Sequence, residues 1–524
     1  MAFVSLSTTT LRVTALETWL AEARGNGDAL SGTARATDAL LELAPDRFAH
    51  RWRVLEVAGA LARLECTLLD SDCGLTEIGT VVSPHHPRAV VRVNAGSWAP
   101  VRANTQRKRR GAFDTPQRLV RDTISRALDA VDGAAQRALD PASGTGAFLL
   151  GLVERGVSHV EGHELDPIAA TVACRVVPEA EVFVRDAFSG SAPEARFDLV
   201  VGNPPFIPPE RQDKKLRSRL RRMMPWLHGR FDLAVPFTAL ALEHTRPGGV
   251  VGLVLPSALL VQPYGRALRR QLLENNRIVS IVPKEKFPGA HIHVNRVFVQ
   301  CGVEPGPIPP HNVSPADLLS LSSHPLDGWV RPGDVELLKQ LREASTMLGE
   351  IAEIDTGVVV HGAGHRREDL VSDEHTPGTV PYVDAADLSH GRIRYLRYRP
   401  DAMHRPKRPG LFADPKVLVM RIRGDGALRA WVDTQGLYAG HTLNVVRPYG
   451  VVSTEHVHAF LTDPAALGLL RLLHGDRLDV YPKALRSLPF PSRWADGDTH
   501  VDLAEAWGLS SGELSRLRAL GAPN

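Results

Sequence analysis

The stretch Asp198-Leu199-Val200-Val201-Gly202-Asn203-Pro204-Pro205-Phe206 decides how the rest of the chain is read. Leu199, Val200 and Val201 form the short apolar run of a buried strand. Pro204 and Pro205 end it, because each fixes φ and lacks a backbone N–H. Asn203 is therefore expected at the carboxyl end of a strand, with a stiff backbone behind it. Its side-chain oxygen and the Pro204 carbonyl are two acceptors, and Phe206 adds a flat apolar face. An exocyclic amine on a planar ring matches all three: two N–H groups for the acceptors and a π-face for stacking. The plain alternative is a strand, a Pro-Pro turn and Phe206 in the core.

Working outward, Ala138-Leu139-Asp140-Pro141-Ala142-Ser143-Gly144-Thr145-Gly146-Ala147-Phe148-Leu149-Leu150 predicts a strand ending near Asp140, a small-residue loop and an apolar helix from about Ala147. Gly144 and Gly146 let a ligand lie against the backbone at a helix N-terminus. Glu164, at the end of a second strand, can take both ribose hydroxyls of a nucleoside-containing cofactor, with Leu165 covering a base face. Asp186 ends a third strand and can accept from an exocyclic amine of that base. Either acid alone reads equally as a helix cap or a loop residue. Their order carries more weight: glycine loop, acid, acid, then Asn203, all at successive strand ends, where an open parallel sheet binds its ligands.

Before the glycine loop, Phe113-Asp114-Thr115-Pro116 opens a helix with Thr115 as N-cap and Leu119, Val120, Ile124 and Leu128 on one face. After Phe206 comes a basic segment that includes Lys214, Lys215 and Arg217, suited to a phosphate backbone or to plain solvent. Strands are expected at 250–255, 278–282 and 294–299, with Phe287 in a loop between the last two.

Composition bounds the remaining choices. A chain of 524 residues accommodates two or three domains. A net charge of +3 rules out global basicity as a sign of nucleic acid. Cys66, Cys73, Cys174 and Cys301 are scattered, which fits a reducing cytosol and argues against a disulfide scaffold or zinc ribbon. No apolar stretch has the length of a membrane span. His85 and His86 lie in a Pro-flanked turn, and no metal site is expected there. Five segments are expected: a mostly helical region over 1–104, a catalytic domain over 105–303, a linker over 304–345, an α+β domain over 346–495 and a helical tail over 496–524. Arg421, Arg423, His441 and Asn444 in the fourth segment are candidates to read base edges.

Read together, residues from about Arg107 to Cys301 resemble the amino-methyltransferases that methylate adenine N6 in DNA, in the gamma arrangement where the catalytic core precedes the recognition region. The resemblance implies an α/β, Rossmann-like class I core with a mostly parallel sheet and an antiparallel last strand. It implies S-adenosyl-L-methionine as cofactor, bound by Phe113, Thr115, Pro116, Asp140, Pro141, Ala142, Gly144, Gly146, Glu164, Leu165, Asp186 and Ala187. It makes Asn203, Pro204, Pro205 and Phe206 catalytic, with Phe206 and Phe287 stacking on a flipped adenine and no catalytic cysteine. Phe206 stands where Tyr is commoner in that family, and Ala187 where an aromatic can flank the cofactor base. Residues from about Leu348 to Pro491 look like the target-recognition domains of restriction-enzyme specificity subunits. The implied partners are double-stranded DNA and a cognate restriction endonuclease or defence-system subunit, with no membrane and a cytoplasmic location. Methylation of RNA or of a protein glutamine, and a non-catalytic DNA-recognition subunit, are the competing functions. A fused nuclease lacks a supporting acidic set.

Overall fold

The structure is a computed structural model and describes residues 29–42, 48–56, 79–82, 89–94, 97–102, 115–189, 197–286, 293–361, 364–413, 415–422, 427–477, 479–498 and 500–522. The chain divides into two compact units, Met1–Pro315 and Ala316–Asn524.

Seven strands make the sheet of the first unit: β1 (Arg137–Asp140), β2 (His159–Glu164), β3 (Ala180–Val184), β4 (Phe197–Gly202), β5 (Thr245–Pro256), β6 (Asn276–Lys286) and β7 (His293–Cys301). Their order is β3-β2-β1-β4-β5-β7-β6. The first five neighbours pair in parallel, while β7 runs antiparallel between β5 and β6. This is the expected mostly parallel sheet with an antiparallel last strand. The central strands are buried on both faces, so they read as apolar runs rather than alternating ones. Leu199, Val200 and Val201 are each fully buried, which contributes on the order of 1.5–3 kcal/mol per side chain. The helices include α1 (Gln117–Asp129), α2 (Ala147–Glu154), α3 (Pro167–Val176), α4 (Lys214–Met223), α5 (Ala234–His244) and α6 (Arg266–Asn275). Val120, Thr123, Ile124 and Ala127 form the buried face of α1. The chain winds from β1 outward to β3 and then returns to β4. The strand order therefore reverses between β1 and β4, and a crevice opens at their carboxyl ends.

Among its described residues the N-terminal segment is mostly helical, and the apolar run over 90–93 adds a strand to it. A helix at Ala29–Leu41 and helical residues 48–56 are followed by a three-stranded antiparallel sheet of Gly79–Val82, Ala89–Asn94 and Ser97–Arg102. The β-branched run at Val90, Val91 and Val93 favours pairing over helix. The helices do not stand apart from the catalytic domain. Arg175 on α3 donates to Asp38 at 3.1 Å, Arg51 bonds Glu179 at 2.8 Å, and Trp52 Nε1 donates to Glu154 on α2 at 3.3 Å. The near-helical spacing of Val54, Leu55, Val57, Leu61, Leu64 and Leu68 predicts a helix over 50–69, which is described only to residue 56; the rest lies outside the described residues.

The second unit is α+β, as its pattern suggests. One four-stranded sheet holds Ala352–Thr356, Leu443–Pro448, Lys416–Met420 and Ala430–Asp433. A second holds Val371–Ser372, Arg394–Leu396, Val380–Val383 and Tyr438–Ala439. Both feed one core that includes Val358, Tyr382, Leu396, Phe412, Leu418 and Val445. The tail is helical, as its leucine spacing predicts, and Glu336, Leu337, Leu338 and Leu341 stand in a helix at the end of the connecting region. Residues 304–345 contain the helix Asp334–Glu343, with Leu337, Leu338 and Leu341 buried in the second unit. The tail helix Ser511–Gly521 packs against the helix Pro464–His474 so closely that a Cβ on Gly468 would fall 2.2 Å from the Leu517 carbonyl. Pro and Ser content suggested a linker, but apolar spacing decided the packing. Leu517 is fully buried, so Leu517→Ala is expected to cost about 2–5 kcal/mol of unfolding free energy. A urea titration reporting on the second unit measures it, and a loss under about 0.5 kcal/mol would mean the tail is dispensable.

Candidate active site

β1 delivers Asp140 to the crevice, 2% exposed. Its Oδ1 accepts from the Ala142 N–H at 3.0 Å, which folds the following loop back over the strand end. Burial pushes the carboxyl up to about 8, and the nearby Glu164 charge acts in the same direction. Gly144 (φ +54°) and Gly146 (φ +97°) then take left-handed backbone, where a side chain is strained. A Cβ on Gly146 would lie 3.1 Å from the Ala173 Cβ of α3, so the loop packs there only as glycine. A Cβ on Gly144 would meet nothing within 4 Å, so that side of the loop is open.

Glu164, at the end of β2, ties this loop to its own strand. Oε2 accepts from the Gly144 N–H and Oε1 from the Asp166 N–H, both at 2.8 Å. Burial raises its pKa, and these two backbone bonds oppose the rise. Leu165 beside it is 71% exposed, an apolar surface with no core to fill. After β3, Asp186 Oδ1 accepts from the Phe188 N–H at 2.9 Å, and Oδ2 is paired with Arg219 of α4. Ala187 is half-buried.

At the end of β4 the backbone runs against the first acid: a Cβ on Gly202 would stand 2.6 Å from Asp140 Oδ1. Glycine makes room for this approach at the residue before Asn203. Asn203 is half-buried and donates from Nδ2 to Thr115 Oγ1 at 3.0 Å. That bond uses the amide nitrogen, so an acceptor role falls to Oδ1. Thr115 was expected to cap α1. Instead Pro116 is the N-cap residue, extended at ψ 139°, and no side chain caps the helix. The helix therefore starts one residue later, and the Thr115 hydroxyl serves Asn203. Pro204 is buried, Pro205 half-buried, and Phe206 only 7% exposed. In this conformation Phe206 is closer to the core residue of the plain alternative than to an open stacking face.

The loop's exit is clamped by residues that sequence reading missed. The Ile207 carbonyl accepts from the Leu233 N–H at 3.0 Å and from Gln212 Nε2 at 2.7 Å. Gln212 Nε2 also donates to the Phe231 carbonyl at 2.8 Å. The Asp232 carboxylate accepts from the Ile207 and Ala234 N–H groups, and burial pushes it up to about 6. No local pattern marks a lone Gln or Asp as the clamp of a loop elsewhere in the chain.

The basic segment is partly consumed inside the fold. Lys214 and Lys215 are exposed on α4, but Arg217 donates to the Pro209 carbonyl at 3.0 Å. In the second unit Asn444 is fully buried and donates to the Val480 carbonyl at 2.8 Å, so it is a structural residue and reads no base. Arg421 donates to the His441 carbonyl at 3.1 Å. Phe113, Phe287 and Arg423 lie outside the described residues. Among the described residues no group of three or more His, Cys, Asp or Glu side chains is arranged to hold a metal ion, and no helix is long and apolar enough to cross a membrane.

A seven-stranded sheet of this order, with a glycine loop after β1 and an acid after β2, is the fold of the class I methyltransferases, whose cofactor is S-adenosylmethionine. The open side of Gly144, the Glu164 carboxylate and the bare Leu165 surface fit its nucleoside. Residues 175–287 match the Eco57I restriction-modification methylase family. The chain is similar to type II methyltransferases. It is 25% identical over 394 residues to M.TthHB8I of Thermus thermophilus, spanning 72% of this chain and 86% of that one. It is 32% identical over 91 residues to M.BstVI of Geobacillus stearothermophilus and 26% identical over 192 residues to M.PaeR7I of Pseudomonas aeruginosa. These two matches span 17% and 30% of this chain, and only 16% and 33% of the relatives. A DrdV–DNA complex shares the fold, with a TM-score of 0.50 and 12% identity over 94% of this chain and 72% of that one.

Asp140 has a pKa of about 8 when folded against 3.8 for a free side chain. The stabilisation that comes from keeping it protonated is fully present below pH 3.8 and is lost as pH rises toward about 8. In cofactor-free protein, Asp140→Asn is therefore expected to gain stability relative to the wild type between pH 5 and pH 8. Urea midpoints at both pH values measure this, and a pH-independent gap between the two proteins would contradict it.

Proposed function

We propose that the protein is a site-specific DNA methyltransferase that moves a methyl group from S-adenosylmethionine to N6 of adenine in duplex DNA, taking the target base out of the helix to do so. The observation that supports this reading is the close approach of Gly202 to Asp140, where the turn to Asn203 and Pro204 begins and the glycine loop leaves β1. When bound, S-adenosylmethionine supplies an electrophilic sulfonium methyl group. Gly144, Gly146 and Glu164 hold its nucleoside, with Glu164 taking the ribose hydroxyls. Each Glu164 oxygen already accepts one backbone N–H and keeps a further lone-pair site. Asp186 accepts from the adenine amine, and Leu165 and Ala187 flank the ring.

Asn203 Oδ1 and the Pro204 carbonyl accept the two N–H groups of the target amine. Those bonds draw the nitrogen from planar toward tetrahedral geometry and make its lone pair available for in-line attack. Thr115, by holding the amide nitrogen of Asn203, sets which end of the amide faces the amine. Most of the rate gain comes from positioning, with electrostatics second. Stacking on Phe206 requires its neighbours to give way when the base enters. The exposed Lys214 and Lys215 suit a phosphate backbone, and the second unit is assigned to sequence recognition. The similarity to type II methyltransferases supports DNA over RNA or a protein glutamine, and a role in restriction–modification or a related anti-phage system.

Incubation with tritiated S-adenosylmethionine and duplex DNA, RNA or protein separates these substrates. Label is expected in DNA, and label in RNA or protein alone would overturn the assignment. Asn203→Ala is expected to lower transfer by at least about 100-fold, the scale of removing one group that polarises the reacting atom, while leaving cofactor affinity within about twofold. Normal transfer by that variant would move the chemistry to another residue.

A further inference from the structure

Asp186 and Arg219 make a contact that the proposed chemistry does not use. Asp186 leaves β3 at the carboxyl edge of the sheet, and Arg219 sits within the basic helix α4 that follows the Asn203 loop. Arg219 Nη2 donates to Asp186 Oδ2, while the Phe188 N–H holds Oδ1 at 2.9 Å. The Arg219 side chain is 37% exposed, yet its Nε is buried with no hydrogen-bond partner among the described residues. The guanidinium is thus packed into place rather than extended toward solvent like Lys214 and Lys215 on the same helix.

An exposed ion pair of this kind adds little to stability. Its geometric effect is larger. Two bonds from different elements, one to each oxygen, fix the carboxylate plane, and each oxygen keeps a second acceptor direction. A carboxylate is acceptor-only. A fixed acceptor is what selects an exocyclic amine over a ring carbonyl.

We propose that Arg219 is a positioning residue for the cofactor's purine: it orients the Asp186 carboxylate toward the exocyclic amine and makes α4 a wall of the cofactor site. This rests on the assignment of Asp186 to the cofactor base. Anchoring a charged recognition residue from a neighbouring helix is the role that outer partners play around bound metals, where they orient the groups that touch the ligand.

Calorimetric titration of the full chain with S-adenosylhomocysteine, and with its inosine counterpart in which a ring carbonyl replaces the amine, tests this without turnover. Arg219→Ala is expected to weaken S-adenosylhomocysteine binding roughly three- to tenfold, the range of a charge-assisted contact discounted for exposure. Binding of the inosine counterpart should be unchanged or improved, so discrimination between the two collapses. Arg219→Lys should restore part of it. On an Asp186→Ala background, Arg219→Ala should cause no further loss. An equal loss for both ligands would mean a merely structural role and would overturn the proposal. Wild-type or tighter binding of S-adenosylhomocysteine by Arg219→Ala, with Asp186→Ala weakened, would overturn it too. Wild-type binding by Asp186→Ala would instead remove the assignment of Asp186 to the cofactor base, and the proposal with it.

Discussion

Strands β1 and β4 lie side by side in parallel, with Ala138 opposite Leu199 and Leu139 opposite Val200, and their ends meet where Gly202 abuts Asp140. The rest of the site depends on that approach. Each strand carries one half of the proposed chemistry: the glycine loop follows β1, and the amide and carbonyl acceptors follow β4. The loops come together because the strand order reverses at this point, leaving the space above the two carboxyl ends uncovered by a crossover. A side chain larger than hydrogen at Gly202 would meet the Asp140 carboxyl, and one of the two would have to move.

Three acids near the crevice, Asp140, Glu164 and Asp232, all have raised pKa values, and burial is the largest cause in each. Each accepts backbone N–H groups rather than pairing with a cation: Ala142 for Asp140, Gly144 and Asp166 for Glu164, Ile207 and Ala234 for Asp232. The carboxylates are therefore spent on shaping loops. A cluster of acids that are costly to ionise is a usual sign of a working site. The same economy appears at Asn203, whose amide nitrogen is engaged by Thr115 and whose following residues are anchored through Ile207. The loop is stiff at both ends before any substrate arrives, as positioning catalysis requires.

The second unit reads differently. Segments with the composition of a linker and a tail turn out to be structural. Leu341, Trp507 and Leu517 are at most 1% exposed, and Arg471 reaches the Leu520 and Ala522 carbonyls from the helix that the tail covers. Burying that guanidinium against helix-end carbonyls satisfies both partners, because the last carbonyls of a helix have no intrahelical donor. Pro, Ser and His content describes how a segment turns, and says little about whether its few leucines find a core.

The sequence by itself determined the strands, their order along the chain and the four loops at their ends. Each of these is written in local terms: apolar runs for buried strands, glycines for left-handed turns, and paired prolines for a stop. Asp140, Gly144, Glu164, Asp186 and Asn203 were all legible on that basis, and the structure brings them to one sheet edge. What a side chain does when its partner is far away in the chain was not legible. Thr115 bonds Asn203 across 88 residues, Arg219 bonds Asp186 across 33, and Gln212 reaches Phe231 across 19. The burial of Asn444 belongs to the same class. Periodicity reports which face a residue lies on, whereas its hydrogen-bond partner is chosen by how distant elements pack, and only the folded chain makes that choice.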